Sequence, residues 1–550
     1  MHSIPTKHCT LIRFRVLLLI VCLSCLTFSV VPTSQAQAGA PGGDLPPFSI
    51  DPSLPSDIVV NAGQGLGQCH WLAAGIMAQP YISWGYDATE GASGWASVEP
   101  QPGVFNWAPL DAEINKARSL DKRIWLELLT TEGQTPQWAI DTGVVLIGSR
   151  GGTPVPWNET YQRLLRRAVH AMAARYDEDP TVDAINVMAG GCYGEMSICA
   201  READTPAWEQ AGYTDEKFIE AVKRILDIYL EEEYVWEDGS RTHGFLKTPV
   251  VLQLGGGLYG HTVAVIKPVV EYAVSKYGMR VWLKYNGLGG NHDMGWLYRD
   301  YATVTKVGYE AAGGQASFLD KPKQYMQIAL AQHASYLCLQ KAYLDIADSE
   351  WQEAREIAAR YLGAQIFCQG IEAPKTVVAG QEYTFVTRWV NRGTVPLMRP
   401  ERQGIKDIPA SYDILIAFVD AASDSPVFEH RFTPAVPTTK WYTAQPIRIE
   451  KAVVIPPSVP AGEYDLRIAL VNPDLSPEDA QRYFYLVNVS QHDGSGRYTL
   501  GHIAVRSEAM PTPAPSATPI PTVSPVYTGN PLIRFLRMIW EWLCSLIRYR

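Results

Sequence analysis

From about residue 63 to residue 365, short apolar runs alternate with longer stretches in which apolar positions recur every three or four residues. The short runs, at 81–86, 124–129, 144–147, 182–188, 250–254, 281–285 and 304–309, are strand-like, and a further element near 328–339 is a last strand or a helix. Between them, Leu165, Val169, Met172 and Tyr176 recur at helical spacing, as do Phe218, Val222, Ile225 and Tyr229. Alternating strands and helices favour a parallel sheet covered by helices. The length suits a closed (β/α)8 TIM barrel better than an open sheet.

Near Phe367 the pattern changes. Tyr383, Phe385, Thr387 and Trp389 alternate with Thr384, Val386 and Arg388, and strand-like runs follow at 412–418, 447–455, 464–471 and 482–487. Many short strands without helices predict an antiparallel, Ig-like β-sandwich over residues 366–507. Residues 508–529, rich in Pro, Thr and Ser, read as an extended linker. In the closing segment, 530–550, Arg534, Arg537, Glu541, Ser545 and Arg548 make a narrow polar stripe on a helix that also carries Phe535, Trp540 and Trp542. Such a helix suits docking at a membrane surface or on a protein partner; packing on its own domains is the alternative.

The first 38 residues have the build of a secretory signal: Lys7, Arg13 and Arg15, an apolar run over 16–30, and the small-residue site Ala36-Gln37-Ala38. The apolar run is short for a membrane span, with an uncleaved anchor as the alternative. Residues 39–62 form a polar leader. The mature chain is therefore expected to be secreted or cell-surface associated.

Composition narrows the function. With 47% hydrophobic residues, the 550-residue chain can bury a sizeable core. A formal net charge of −10 speaks against a nucleic-acid partner. The 16 Trp and 28 Tyr offer flat faces for sugars as well as for packing.

Two carboxylates stand out. Glu195 lies in Gly191-Cys192-Tyr193-Gly194-Glu195-Met196, just after the run at 182–188, and Glu310 ends the run at 304–309. If the alternation is a barrel, both point into one mouth, the arrangement that cleaves a glycosidic bond. One acid must be protonated near neutral pH and the other ionised. The loop position suits Glu195 as acid/base, and Glu310 suits the nucleophile. A surface carboxylate and a loop acid are the alternatives. Glu127, inside an apolar strand, needs a partner or a function; it binds a sugar hydroxyl or joins an ion pair, the latter favoured. Trp84, Trp138, Trp157, Tyr193, Asn286 and Trp296 lie at or beyond proposed strand ends and are candidate sugar contacts, with packing as the alternative for each. His292 and Asp293 are too few ligands for a metal, and no metal or organic cofactor is expected. Cys192 and Cys199 flank Glu195; either a disulfide joins them or both are buried thiols.

Several stretches resemble a known family. The segment from Gly94-Trp95 through Glu99-Pro100 and Gly103-Val104-Phe105-Asn106-Trp107 is followed by Leu110-Asp111, the strand from Arg123 to Leu128, and Thr135-Pro136-Gln137-Trp138-Ala139. This order resembles the opening of family 42-type β-galactosidases and related clan A glycoside hydrolases. Ala174-Arg175-Tyr176-Asp177-Glu178-Asp179-Pro180, leading to Tyr193-Gly194-Glu195, is similar to that family's approach to its acid/base strand. The later part, ending in Arg360-Tyr361-Leu362-Gly363-Ala364-Gln365-Ile366 and Asn391-Arg392-Gly393, is similar to an uncharacterised domain that completes such barrels. The resemblance implies a retaining hydrolase with its acid/base after the fourth strand and its nucleophile at the end of the seventh. It departs at Gly194, where the clan carries an Asn that binds the sugar 2-hydroxyl. Either another residue takes that task or the activity is altered or lost. The expectation is a β-glycosidase acting on an oligo- or polysaccharide; the alternative is a non-catalytic carbohydrate-binding or cell-surface protein on the same scaffold.

Overall fold

The computed structural model describes residues 94–507 together with strands at 66–68 and 80–83, apart from breaks at 120–122, 132, 149–151, 192–193, 199–204, 259–261, 289–293, 312–321, most of 340–359, 480–481 and 489–490. The expected signal, leader, linker and terminal helix lie outside the described residues. So do Trp84, Cys192, Tyr193, Cys199, His292 and Asp293.

Eight parallel strands close into a barrel: β1 (Leu66–Gln68), β2 (Pro80–Ser83), β3 (Arg123–Glu127), β4 (Val182–Asn186), β5 (Val250–Leu254), β6 (Val281–Leu288), β7 (Val307–Ala311) and β8 (Tyr336–Leu339). Each pairs with the next, and β8 returns to β1 through Leu66–Leu337 and Gly67–Cys338. Helices connect them, among them Ala108–Ser119, Glu159–Tyr176, Asp215–Leu230 and Val263–Tyr277. Two of these begin on side-chain caps that satisfy a free backbone N–H: Asn158 accepts from Tyr161 N and Thr214 from Lys217 N. Their apolar faces meet the outward strand residues in one cluster that includes Leu165, Val169, Phe218, Val222, Ile225, Leu252 and Leu283. Each such fully buried aliphatic side chain contributes on the order of 1.5–3 kcal/mol.

The Trp95-to-Trp107 stretch works as a lock on this shell. Buried Glu99 accepts from Trp95 Nε1 at 2.8 Å, Gly103 N at 2.7 Å and Arg167 Nη2 at 2.5 Å. Those charge-assisted bonds satisfy a carboxylate that burial would otherwise penalise.

The strand expectations need two corrections. The run at 144–147 is not a barrel strand: only Leu146–Ile147 is extended, and it pairs antiparallel with Thr153–Pro154 in a small hairpin between β3 and β4. Conversely, Leu66–Gln68, whose short Gly-rich stretch carries no apolar alternation, is the first strand. β4 and β7 are nonetheless fourth and seventh, because these two differences cancel in the count.

Beyond β8 the chain forms sheets without barrel character. Ile366–Glu372, Glu382–Asn391 and Pro446–Val454 make a three-stranded antiparallel sheet. Asp413–Asp420, Ser425–Phe432, Gly462–Val471 and Tyr498–Arg506 belong to a second sheet. That second sheet is mixed, since Thr376–Val378 pairs parallel with Tyr498–Arg506. Phe385, Trp389 and Ile449 from the first sheet and Ile416, Phe418, Leu466 and Ile503 from the second share one apolar cluster.

This unit meets the barrel at the N-terminal ends of its strands. Met279 N donates to Asp407 O at 2.8 Å, Arg280 Nη1 to Ile405 O at 2.8 Å, and Thr394 Oγ1 to Ala334 O at 2.5 Å. Residues 279–280 precede β6 and Ala334 precedes β8. The contact therefore lies at the opposite end of the barrel from Glu310.

Candidate active site

Side chains at i and i+2 of a strand share a face. Inside this barrel that shared face changes character within two residues. The lower level is apolar: Trp125, Ala184, Val251, Trp282 and Tyr336 form one buried cluster contributed by five strands. Two positions further along the strands stand Glu127, Asn186, Gln253 and Lys284, all almost fully buried. Glu310 joins them from β7, beside Asn286 in the strand register. The polar level thus lies toward the C-terminal ends of the strands, where barrels of this kind hold their sites.

The level is internally bonded. Asn186 Nδ2 donates to Glu127 Oε2 at 3.1 Å. Lys284 Nζ donates to Glu310 Oε2 at 2.6 Å, with both side chains buried. Desolvating two charges is tolerated only where they satisfy each other this closely.

Glu195 approaches from the loop after β4. That loop is tied to the segment after β5: Gly257 N donates to Met196 O at 2.6 Å and Ile198 N to Gly257 O at 3.1 Å, around a parallel bridge between Ser197 and Gly257. The two segments approach so closely that a Cβ at residue 255 would lie 2.2 Å from Glu195 O, which explains Gly255. Buried Met196, immediately after Glu195, holds φ at +54°. A left-handed non-glycine residue is uncommon and persists only where the surroundings impose it, often at functional sites.

The environment of Glu195 is that of an acid. Burial, then the negative charge of Glu310, pushes its carboxyl up from 4.5 to about 8. The Lys284 ammonium and the nearby Asn286 amide pull it down, and Glu127 adds a further upward push. Glu310, Glu127, Lys284 and Asn286 therefore all act on Glu195. A half-buried carboxyl beside a second carboxylate that has a cationic partner is the one whose proton is held more tightly.

The remaining predicted residues are placed differently. Trp138 donates from Nε1 to Glu99 O at 2.9 Å and meets Trp95 edge-on at 5.7 Å. Trp157 donates from Nε1 to Ala211 O at 3.2 Å and packs near Trp208 and Tyr213. Both indoles are committed to the helical shell. Trp296 is half-buried in Gly295–Tyr301, after β6, beside Tyr301. Glu127 accepts from the Asn186 amide. Asn286, expected as a sugar contact, is drawn to the Glu195 carboxyl.

Sequence reasoning passed over Asn186, Gln253 and Lys284. Each is a polar residue two positions after an inward apolar one (Ala184, Val251 and Trp282), although only Gln253 is the single polar residue of its strand. That repeated offset was the available signal. Among the described residues, no group of three or more His, Cys, Asp or Glu is placed to hold a metal ion, and no helix is long and apolar enough to cross a membrane.

No family model matches the chain. No curated protein matches it either. Solved structures similar to it include an endo-β-1,4-xylanase of glycoside hydrolase family 10 from Gloeophyllum trabeum, at 12% identity over 52% of this chain and 87% of that one, with a TM-score of 0.32. The catalytic domain of β-amylase from Paenibacillus polymyxa is similar at 9% identity over 54% of this chain and 98% of that one, with a TM-score of 0.36. A β-galactosidase from the psychrophilic Marinomonas ef1 is similar at 16% identity over 54% of this chain and 59% of that one, with a TM-score of 0.25. Likenesses at such scores carry no weight for function, and the barrel rests on its own strand pairing.

Proposed function

We propose that this protein is a glycoside hydrolase that cleaves a β-glycosidic bond in an oligo- or polysaccharide with retention of configuration. Glu195 donates the proton to the leaving oxygen, and Glu310 attacks the anomeric carbon. What supports the reading is the unlike settings of the two carboxyls: burial and the Glu310 charge push Glu195 up, while Glu310 is ion-paired with Lys284. Retention needs the carboxyls roughly 5–5.5 Å apart, close enough to exclude a water between them. After attack, Glu195 as a carboxylate draws a proton from the incoming water, and the glycosyl–Glu310 bond breaks.

The test is a screen of aryl β-glycosides and plant and bacterial polysaccharides, with product anomers followed by proton NMR. Initial release of the β-anomer supports the proposal; initial α-anomer, or no turnover on any substrate, counts against it.

The second reading is a carbohydrate-binding protein without turnover. It is favoured by the crowding at position 194, where a Cβ would lie 2.2 Å from Met188 Cε. Sugar binding that persists unchanged in Glu195→Gln, without product, would select it.

Under either reading the proposed setting is extracytoplasmic, with residues 1–38 as signal and the C-terminal sheets as an Ig-like β-sandwich. The segment 530–550 is proposed to dock on a membrane surface or a protein partner. Deleting 508–550 should release the protein into the soluble fraction; unchanged retention argues against docking.

A further inference from the structure

Lys284 is a cation in a place where apolar packing would be the simpler solution. It follows Trp282, whose ring helps fill the apolar level, and it is only about 1% exposed. Its Nζ lies 2.6 Å from Glu310 Oε2, and its charge also acts on Glu195. The charged groups gathered at this level come from four places: Glu127 at the end of β3, Glu195 after β4, Lys284 on β6 and Glu310 on β7. Asn286 and Gln253 are neutral, and Tyr336 from β8 directs its hydroxyl to Leu283 O at 2.8 Å. Among the described residues, Lys284 brings a positive charge to this level, where three carboxyls gather, and it contacts Glu310.

We propose that Lys284 is the positioning residue that decides which carboxyl carries the proton: by pairing with Glu310 it holds that group as the anion and leaves Glu195 as the proton carrier. Two carboxyls sharing a dry site cannot both ionise freely. Without a fixed cation the proton would be shared between them. An ammonium 2.6 Å from Glu310 Oε2 breaks that symmetry. The assignment of roles rests on the hydrolase reading above, but the splitting of the two protonation states does not.

The test reads protonation directly. Protein labelled with 13C at the glutamate carboxyl is titrated by NMR, the two resonances being assigned with Glu195→Gln and Glu310→Gln. In Lys284→Met the midpoint of Glu310 should rise by about one to three units, because an opposite charge within contact distance depresses a carboxylate by that amount. Lys284→Arg, which keeps the charge, should restore the wild-type midpoint. An unchanged Glu310 midpoint in Lys284→Met overturns the proposal. If Lys284→Met does not fold, the neutral pair Lys284→Met with Glu310→Gln serves instead. Its Glu195 midpoint should lie above that of Glu310→Gln alone, and equality overturns the proposal. Turnover is not needed for either measurement. A protein that cleaves no glycoside but shows these Lys284-dependent midpoints removes the hydrolase and leaves this inference standing; an active enzyme whose midpoints ignore Lys284 does the reverse.

Discussion

The side chain of Met188 occupies the space that a side chain at Gly194 would need. A Cβ at residue 194 would lie 2.2 Å from Met188 Cε and 2.9 Å from its sulfur, on a backbone with φ of +74°. The residue just before Glu195 therefore has no side chain for steric and conformational reasons together. Gly194→Asn should displace the Glu195 loop and cost about 1–3 kcal/mol, the usual range for forcing a strained backbone residue. Denaturant unfolding measures it. Trimming the neighbour in Met188→Ala/Gly194→Asn should recover part of the loss, since only the steric share is relieved.

Glu195→Gln removes the proton donor while keeping shape. If the hydrolase reading holds, kcat/KM on an aryl β-glycoside should fall by about 10²–10⁴-fold, the usual contribution of a general acid. The loss should be smaller for substrates with acidic leaving groups, which need less protonation. Equal losses on good and poor leaving groups would speak against an acid role.

Glu310→Gln leaves the Lys284 ammonium buried beside a neutral amide. Breaking a buried pair by removing one partner costs about 3–5 kcal/mol, because the remaining charge loses its contacting counter-charge. Chemical denaturation should show that loss. The additional change Lys284→Met should recover much of it, although it removes a second native side chain.

The pH dependence has a definite sign. The Glu195 carboxyl sits near 4.5 in the unfolded chain and about 8 in the folded protein. The folded state therefore binds more protons between those values, and stability falls as pH rises through that window. Below it both states are protonated and the contribution is fully present. Denaturation midpoints measured across the window should slope downward for the wild type and flatten in Glu195→Gln. Activity should decline on the alkaline side through the same midpoint, as the donor loses its proton.

Arg280 offers a control away from the site. Its guanidinium donates to Phe245 O at 2.6 Å, Leu230 O at 3.2 Å and Ile405 O at 2.8 Å, joining the base of the barrel to the C-terminal sheets. Arg280→Ala should destabilise by about 2–3 kcal/mol, given what a charged hydrogen bond and its orphaned acceptors are worth. Limited proteolysis should then cut more readily between the two units, with the Glu195 titration unmoved.

The alternation of strand and helix was legible because it follows from burial: a parallel strand covered on both faces must be apolar throughout, and its helix apolar on one side. That periodicity sufficed to find strands at 182–188, which ends at Asn186, and at 250–254, and to mark Glu310 at a strand end and Glu195 in the loop after one. It could not separate the short hairpin strand Leu146–Ile147 from a barrel strand, nor find Leu66–Gln68, because a two- or three-residue strand is defined by its partners and not by its own pattern. The meeting of Lys284 with Glu310 was not legible either. A lysine in an apolar run states that it needs a counter-charge, but which carboxylate supplies it depends on the strand order and stagger of the closed barrel. The chain alone settled which apolar runs are buried and placed Glu310 at a strand end, since hydrophobic period is a local property. Closure of the barrel settled which polar groups meet, because electrostatic partnership between residues far apart in sequence exists only once the strands between them are in place.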